Sequence, residues 1–166
     1  MDLIVSESGL AVFGKTSYRC AIGRGGIRPN KTEGDGASPA GCFTLSRVMY
    51  RQDRLNEPNT ILPLQPVKAC DGWCDAPDDP AYNSQITLPY PASCERMFRE
   101  DRLYDIIVVT DHNTNPVVPY AGSAVFVHVA GGPKYPPTKG CIAFTLEDLL
   151  DILAVWNPET DRFVIG

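Results

Sequence analysis

One stretch of the chain, from Ser123 to Phe144, constrains the fold more than any other. It begins with an alternation in which Ala124, Phe126 and His128 point to one side of a β-strand and the valines between them to the other. A run of glycines and prolines follows, which can continue neither a strand nor a helix. The chain returns to order at Cys141, directly after a glycine. We therefore predict a strand, a rigid loop and a second ordered segment that begins with a cysteine.

The pair formed by His128 and Cys141 suits thiol catalysis. A free thiol has a pKa of about 8.5, so little thiolate is present at neutral pH, and a nearby imidazole can take the proton. We expect the two side chains to lie within hydrogen-bond reach or slightly beyond it. The backbone N–H groups around Lys139, Gly140 and Cys141 could then converge on a substrate oxyanion. A small buried cysteine and a strand histidine without a catalytic role are the alternative, and the spacing alone leaves both interpretations open.

Two blocks of the sequence resemble a known protein family. The first is His128, a loop, and then Thr-Lys-Gly-Cys-Ile at residues 138–142. The second is Lys-Thr-Glu-Gly-Asp-Gly-Ala-Ser-Pro-Ala-Gly-Cys-Phe at residues 31–43. The two blocks, far apart and in this order, are similar to the signature of the YkuD-type L,D-transpeptidases. The resemblance implies that Cys141 is a nucleophile and that His128 is its base.

The same resemblance implies a fold and a reaction. We expect a single mainly β catalytic domain over residues 1–166, shaped as a sandwich or barrel, with one or two short helices. The implied reaction forms peptidoglycan cross-links: a donor stem peptide acylates the cysteine to a thioester, and an amine of an acceptor stem then attacks it. If water attacks instead, the protein is an L,D-carboxypeptidase. Another cysteine amide hydrolase and a non-enzymatic wall-binding module are further alternatives.

Two positions near the cysteine depart from the family pattern. Lys139 stands where the family usually has a second histidine, and Ala143 stands where it usually has arginine or asparagine. The ammonium group of Lys139 could lower the pKa of Cys141 and hold a carboxylate of the stem peptide. A solvent-exposed loop lysine is the alternative. Lys139 and its neighbour Thr138 are therefore candidate substrate-binding residues.

The composition limits the remaining classes of function. The chain has 166 residues, of which 43% are hydrophobic and 21% charged, as is ordinary for one globular domain. The net charge of −5 and the lack of a basic run argue against nucleic-acid binding. No apolar stretch approaches the roughly 20 residues that cross a membrane. We expect a monomer that needs no metal and no organic cofactor.

The N-terminal sequence and the resemblance point to different locations. Residues 1–15 lack the basic start and the long apolar centre of a signal peptide, and they alternate like a strand. The resemblance implies a substrate outside the cytoplasmic membrane, and therefore a periplasmic or wall-facing protein. A cytoplasmic protein is the alternative that the N-terminal sequence favours.

The six cysteines are many for a chain of this size. They form no Cys-x-x-Cys pair and have no histidines at the spacing of a zinc site. Cys70 and Cys74 flank the turn-prone segment Asp-Gly-Trp, and a disulfide could join these two residues.

Residues 49–94 contain seven prolines and are predicted to form a loop-rich insertion. Aromatic, amide and acidic residues of the kind that line a peptide or carbohydrate cleft occur within it. The candidates for substrate binding are Trp73, Asp75, Tyr82 and Asn83. The alternative is a surface loop that is anchored by its aromatic residues.

Local patterns predict the remaining elements. Strands are expected at residues 3–5, 10–13, 18–22, 42–48, 104–110 and 162–165. Ser93 should cap a short helix that runs to Phe98, and Thr145 should cap a second helix with a buried leucine stripe. His112, the second histidine of the chain, follows the strand at 104–110 and is either a further site residue or an ordinary turn residue.

Overall fold

The computed structural model describes residues 1–166, which form fifteen short strands and one helix, α1 (Leu146–Val155). The strands are β1 (Asp2–Val5), β2 (Leu10–Phe13), β3 (Thr16–Arg19), β4 (Ile27–Arg28), β5 (Ser38–Pro39), β6 (Gly41–Phe43), β7 (Leu45–Tyr50), β8 (Leu64–Pro66), β9 (Asp71–Cys74), β10 (Gln85–Thr87), β11 (Cys94–Arg96), β12 (Ile106–Thr110), β13 (Phe126–Val129), β14 (Ile142–Phe144) and β15 (Arg162–Ile165). The mainly β fold is thus confirmed. The structure contains no helix with the length and apolar character that crossing a membrane requires.

Two five-stranded sheets share the main hydrophobic core. Their strand orders are β3-β2-β1-β15-β6 and β14-β13-β12-β7-β8. Both sheets contribute to one cluster of 21 buried apolar residues. The helix α1 adds Leu149, Ile152 and Leu153 to this cluster. It begins as predicted, because the hydroxyl of Thr145 accepts a hydrogen bond from the N–H of Asp148 at 3.1 Å.

The strand predicted at residues 42–48 is two strands in different sheets. β6 belongs to the first sheet and β7 to the second. The chain crosses between them at Thr44, whose N–H and hydroxyl both donate to the carboxylate of Asp111 at 2.8 Å. A local β pattern has the same appearance whether or not the chain changes sheets, so the sequence could not show this crossing.

The insertion has a small sheet of its own with the order β10-β9-β11. The insertion also contains β8, which pairs in parallel with β7 of the second large sheet. Four short strands, β8 to β11, therefore interrupt its loops. The helix predicted from Ser93 to Phe98 is wrong, because this segment contains β11, whose backbone pairs with β9. Trp73 of β9 packs edge-on against Phe126 of β13 with ring centroids 4.9 Å apart, which anchors the small sheet to the second large sheet.

All six cysteines are free, so the predicted disulfide between Cys70 and Cys74 is wrong. The segment between them is strand β9 rather than a turn. The three extended steps from Asp71 to Cys74 alone span about 10 Å. A disulfide needs Cα atoms about 4.4–6.8 Å apart.

The strand predicted at residues 18–22 is displaced, since β3 covers Thr16–Arg19. The residues after β3 make isolated bridges to β14 and to the loop that precedes it. Ala21 pairs with Ala143, and Gly23 pairs with Thr138. The end of the first sheet therefore holds the chain on both sides of Cys141.

The alternation predicted for the strand at His128 is confirmed. Val127 and Val129 of β13 belong to the main core. Phe126 belongs to a second cluster of 10 buried residues, which also includes Cys141. His128 lies on the same side of the strand as Phe126, so both candidate catalytic residues face away from the main core.

Candidate active site

His128 and Cys141 line one cavity of about 840 Å³. Its walls come from four parts of the chain, within residues 24–36, 75–104, 123–128 and 131–143. The two sequence blocks that resemble the transpeptidase signature therefore meet at the same cavity. No cluster of three or more His, Cys, Asp or Glu side chains is arranged to hold a metal ion.

The hydroxyl of Thr138 closes the loop that leads to Cys141. It accepts a hydrogen bond from the N–H of Gly140 at 3.0 Å and donates one to the carbonyl oxygen of Cys141 at 2.6 Å. Gly140 has a φ of +139°, and a Cβ atom there would stand 2.8 Å from the carbonyl oxygen of Ala37. The residue before the cysteine must therefore be glycine, because the backbones of the two sequence blocks approach each other closely here.

The thiol of Cys141 is buried against the backbone that leads into β13. Its Sγ donates to the carbonyl oxygen of Ala124 at 3.1 Å and accepts from the N–H of Phe126 at 3.4 Å. Burial, followed by the negative charge of Glu95, raises the pKa of Cys141 to about 12, while the Phe126 N–H and Lys31 act in the opposite direction. The site therefore holds a neutral thiol at neutral pH.

The imidazole of His128 has a defined tautomer. Its Nδ1 lies 2.9 Å from the carbonyl oxygen of Val129. A carbonyl oxygen only accepts, so Nδ1 carries the proton and Nε2 of the neutral ring carries the free lone pair. Burial lowers the pKa of His128. The ring is thus neutral at neutral pH, which is the form that a general base requires.

No hydrogen bond joins His128 to Cys141, because the thiol donates to the carbonyl oxygen of Ala124 instead. The register of the sheet explains this arrangement. His128 stands opposite Ala143 in the parallel pair β13–β14. Cys141 therefore lies two residues, or roughly 6.6 Å, further back along the strand direction. Transfer of the thiol proton to His128 requires the Cys141 side chain to turn away from Ala124.

The predicted oxyanion donors are not equivalent. The N–H of Gly140 is occupied by the hydroxyl of Thr138 and is not free for a substrate in this conformation. The N–H groups of Lys139 and Cys141 make no hydrogen bond within the protein. These two groups are the candidates for binding an oxyanion.

The lysine whose charge acts on Cys141 is Lys31 rather than Lys139. Lys139 lines the cavity, but its side chain is exposed. The side chain of Lys31 is only 6% exposed, and its ammonium group pairs with Asp35 at 2.9 Å and donates to the carbonyl oxygen of Ala37 at 2.8 Å. The role expected of Lys139 towards a substrate carboxylate stays a prediction.

Asp75 lines the cavity, whereas the other insertion residues predicted to bind substrate do not. Trp73 and Asn83 are buried behind the wall, where the indole N–H donates to the Asn83 amide oxygen at 3.0 Å. That oxygen also accepts from the N–H of Ala124 at 3.0 Å, and the amide nitrogen donates to the carbonyl groups of residues 112 and 113. Asn83 therefore fastens the insertion to the chain segment that precedes β13.

Tyr82 and His112 also support the cavity from behind. The hydroxyl of Tyr82 donates to Glu33 and accepts from the N–H of Gly122 at 3.1 Å. The Nε2 of His112 donates to the carbonyl oxygen of Ala121 at 3.1 Å, and burial lowers the pKa of this histidine. Neither residue lines the cavity. The alternative in which aromatic residues anchor the insertion is therefore correct for most of this segment.

Glu95 and Tyr104 line the cavity but were missed by the sequence analysis. The hydroxyl of Tyr104 donates to Glu95 at 2.7 Å, and its ring packs edge-on against His128 with centroids 5.3 Å apart. No local pattern marks these residues, because their position depends on how the insertion folds. Lys31, in contrast, lies within the second sequence block, and the resemblance of that block to the family signature marks its residues as candidates for the site.

Comparison with known proteins confirms the resemblance. A family model described as the L,D-transpeptidase catalytic domain, YkuD, matches residues 9–165. A solved structure, L,D-transpeptidase 3 from Mycobacterium tuberculosis in complex with a faropenem-derived adduct, is similar with a TM-score of 0.41 and 14% sequence identity. The similarity covers 99% of this chain and 59% of that chain, so this chain spans less than two thirds of its length. No match was found among curated proteins.

Replacing Asn83 by alanine should destabilise the fold rather than alter substrate binding selectively. The change removes four hydrogen bonds and places alanine at a φ of +56°. We expect the free energy of unfolding in a urea titration to fall by about 3 kcal/mol or more. Asn59→Ala, at an exposed asparagine of the same region, is the matched control and should change it by less than about 0.5 kcal/mol. An Asn83→Ala protein as stable as this control would contradict the anchoring role.

The order in which the cysteines are alkylated should reflect their burial. Cys42 and Cys70 are exposed, so iodoacetamide should modify them before Cys141 at neutral pH. The rate at Cys141 should continue to rise as the pH approaches about 12, because the thiolate is the reacting form and burial favours the thiol. Peptide mass mapping at a series of pH values measures each rate. A Cys141 rate that is already constant near neutral pH would show a preformed thiolate and refute this assignment.

Proposed function

This chain belongs to the YkuD family of L,D-transpeptidase catalytic domains, and we propose that it transfers acyl groups between peptidoglycan stem peptides through a cysteine thioester. The observation that supports the proposal is the placement of Cys141 and His128 in one cavity, with the thiol and the basic Nε2 both in their neutral forms. A neutral thiol and a neutral imidazole are the reactants of general-base activation of a nucleophile.

The first half-reaction acylates the cysteine. The Cys141 thiol leaves its hydrogen bond to Ala124 and gives its proton to Nε2 of His128, and the sulfur attacks the carbonyl carbon that follows an L-centre of the donor stem. The N–H groups of Lys139 and Cys141 bind the oxyanion of the tetrahedral intermediate. The intermediate then collapses, and the departing D-residue takes the proton from His128, which leaves a thioester and a neutral imidazole.

The second half-reaction determines the product. An amine of an acceptor stem attacks the thioester and forms a cross-link, and Cys141 regains its proton through His128. Attack by water at the same thioester makes the protein an L,D-carboxypeptidase. Both outcomes need the same two residues, so the geometry supports acyl transfer from the donor in either case.

The proposed substrate has consequences for location and assembly. Peptidoglycan lies outside the cytoplasmic membrane, so we propose that the protein acts on the periplasmic or wall-facing side. Every residue named in the mechanism comes from one chain, and a monomer is therefore sufficient. Exposed Lys139 at the cavity is the proposed contact for a carboxylate of the anionic stem peptide.

Cys141→Ala should abolish the release of D-residues and the formation of dimers from purified muropeptides, as measured by mass spectrometry. We expect a loss of at least about 1,000-fold in turnover, because alanine supplies no nucleophile. His128→Gln should lower turnover strongly while the protein stays folded, because glutamine cannot accept the thiol proton as a base.

Cys42→Ala is the matched control, since Cys42 is exposed and does not line the cavity. It should retain wild-type turnover. Dimers in the wild-type reaction would indicate transfer, and trimmed monomers would indicate hydrolysis. Products that persist unchanged in Cys141→Ala would exclude the proposed nucleophile, and binding without any product would favour the wall-binding module.

A further inference from the structure

The small sheet of the insertion brings two carboxylates to the catalytic cavity. Glu95 of β11 stands opposite Trp73 of β9, and Asp75 follows β9 directly, with its N–H bonded to the carbonyl oxygen of Ser93 at 3.2 Å. Because side chains alternate along a strand, Trp73, Asp75 and Glu95 share one side of the sheet. Asp75 and Glu95 both line the cavity that contains Cys141.

These carboxylates have free bonding capacity. One oxygen of Glu95 accepts a hydrogen bond from Tyr104, and no hydrogen bond reaches the other. The Oδ1 atom of Asp75 is buried and has no partner. The positive charge of Arg99 lowers the pKa of Glu95, but its guanidinium group is already bonded to Asp101. One oxygen of Glu95 and the buried Oδ1 of Asp75 therefore lack a hydrogen-bond donor.

A carboxylate beside the nucleophile opposes the first half-reaction. The negative charge of Glu95 raises the pKa of Cys141, so it disfavours the thiolate that attacks the donor. The second half-reaction, in contrast, needs a base that takes a proton from the acceptor. A primary amine has a pKa of about 10.4, so it enters as an ammonium ion and must lose a proton before it can attack a thioester.

We propose that Glu95, assisted by Asp75, forms the subsite for the ammonium group of the acceptor and takes one proton from it. This inference rests on the proposed function. Glu95 accepts a proton from the ammonium ion, and the amine nitrogen attacks the thioester carbon. The bond between that carbon and the Cys141 sulfur then breaks, and the second amine proton reaches the sulfur through His128. Glu95 returns its proton to solvent, so the products are an amide and the free thiol.

The environment of Glu95 suits this exchange. Burial raises the pKa of Glu95 from its ordinary value, which makes the carboxylate a better proton acceptor, while Arg99 and Lys139 favour its ionised form. Asp75 adds a further negative charge that attracts a cation. The subsite therefore selects acceptors that carry a primary ammonium group at the attacking end, and it gives no such advantage to water.

Glu95→Gln tests the subsite, since glutamine keeps an oxygen that can accept the Tyr104 hydrogen bond but has no charge. The variant should raise the KM for the amine acceptor roughly tenfold and lower the ratio of cross-linked to hydrolysed product. Glu100→Gln is the matched control, because Glu100 is exposed and lies outside the cavity. It should match the wild type in both measurements.

A second measurement does not depend on turnover. Glu95→Gln should shift the alkylation-rate profile of Cys141 to lower pH, because the nearby negative charge is lost. If the wild type gives no product from muropeptides, the proposed function fails and this inference fails with it. If the wild type forms cross-links but Glu95→Gln behaves like Glu100→Gln in acceptor KM, product ratio and thiol profile, the acceptor subsite alone is wrong.

An independent observation concerns Cys74 and Cys94, which are direct partners across β9 and β11. The adjacent pair, Asp75 and Ser93, is hydrogen-bonded, so Cys74 and Cys94 occupy a non-hydrogen-bonded position of the antiparallel pair. Cα atoms at such positions are about 4.5 Å apart, within the range of about 4.4–6.8 Å that a disulfide needs. Both cysteines are free in the structure.

We infer that Cys74 and Cys94 form a reversible disulfide when they meet a small disulfide oxidant such as oxidised glutathione. The half-buried Cys94 attacks one sulfur of the oxidant as a thiolate and releases one glutathione thiol. Cys74 then attacks the mixed disulfide at Cys94 and releases the second. The two cysteines lose two electrons and two protons, and the new bond ties β9 to β11 beside Asp75 and Glu95.

Mass mapping of the full chain after incubation with oxidised glutathione tests this pair. The peptides with Cys74 and Cys94 should be recovered linked, with two hydrogens lost, and a thiol reductant should separate them. Cys94→Ser should abolish the link, whereas Cys70→Ser, at the exposed cysteine nearest in sequence to Cys74, should leave it intact. Recovery of Cys74 as a free thiol, or linked to Cys70, would overturn the inference.

Discussion

The close approach between Gly140 and the carbonyl oxygen of Ala37 is the contact on which the rest of the site depends. A Cβ atom at position 140 would lie 2.8 Å from that oxygen, so any other residue would force the two loops apart. The same oxygen accepts a hydrogen bond from the ammonium group of Lys31. One backbone group thus joins the loop before Cys141 to the buried cation that acts on its thiol. The two sequence blocks, residues 31–43 and 128–142, are therefore two halves of one structural unit.

Burial sets the chemical state of that unit. It raises the pKa of Cys141 and lowers that of His128, so desolvation favours the neutral form of both groups. Lys31 and the N–H of Phe126 favour the thiolate, but burial and Glu95 outweigh them. The site is consequently a pair of neutral groups rather than a preformed ion pair. The hydrogen bonds of both side chains to backbone carbonyl groups hold this state in place.

The aromatic residues of the insertion anchor it, and other residues of the insertion line the cavity. Trp73 and Tyr82 are buried and serve as anchors, the first against Phe126 and the second through Glu33. These anchors fix the small sheet next to β13. The residues that reach the cavity from this sheet and its end are Asp75, Cys94, Glu95 and Arg96, and two of them are acidic. An aromatic side chain suits a buried anchor and a ligand cleft equally well, so its type alone does not distinguish the two roles.

The sequence by itself determined the elements and residues whose signals are local. The alternation around His128, the glycine before Cys141 and the cap at Thr145 each depend on a few neighbouring residues, and all three have the predicted structural context. Tertiary structure alone decided which lysine acts on Cys141, where β11 forms, and which insertion residues reach the cavity. The physical reason is that burial, charge–charge distance and strand pairing depend on segments that are remote in sequence. Glu95 reaches the cavity only because β11 pairs with β9, and no pattern within the segment itself encodes that partner.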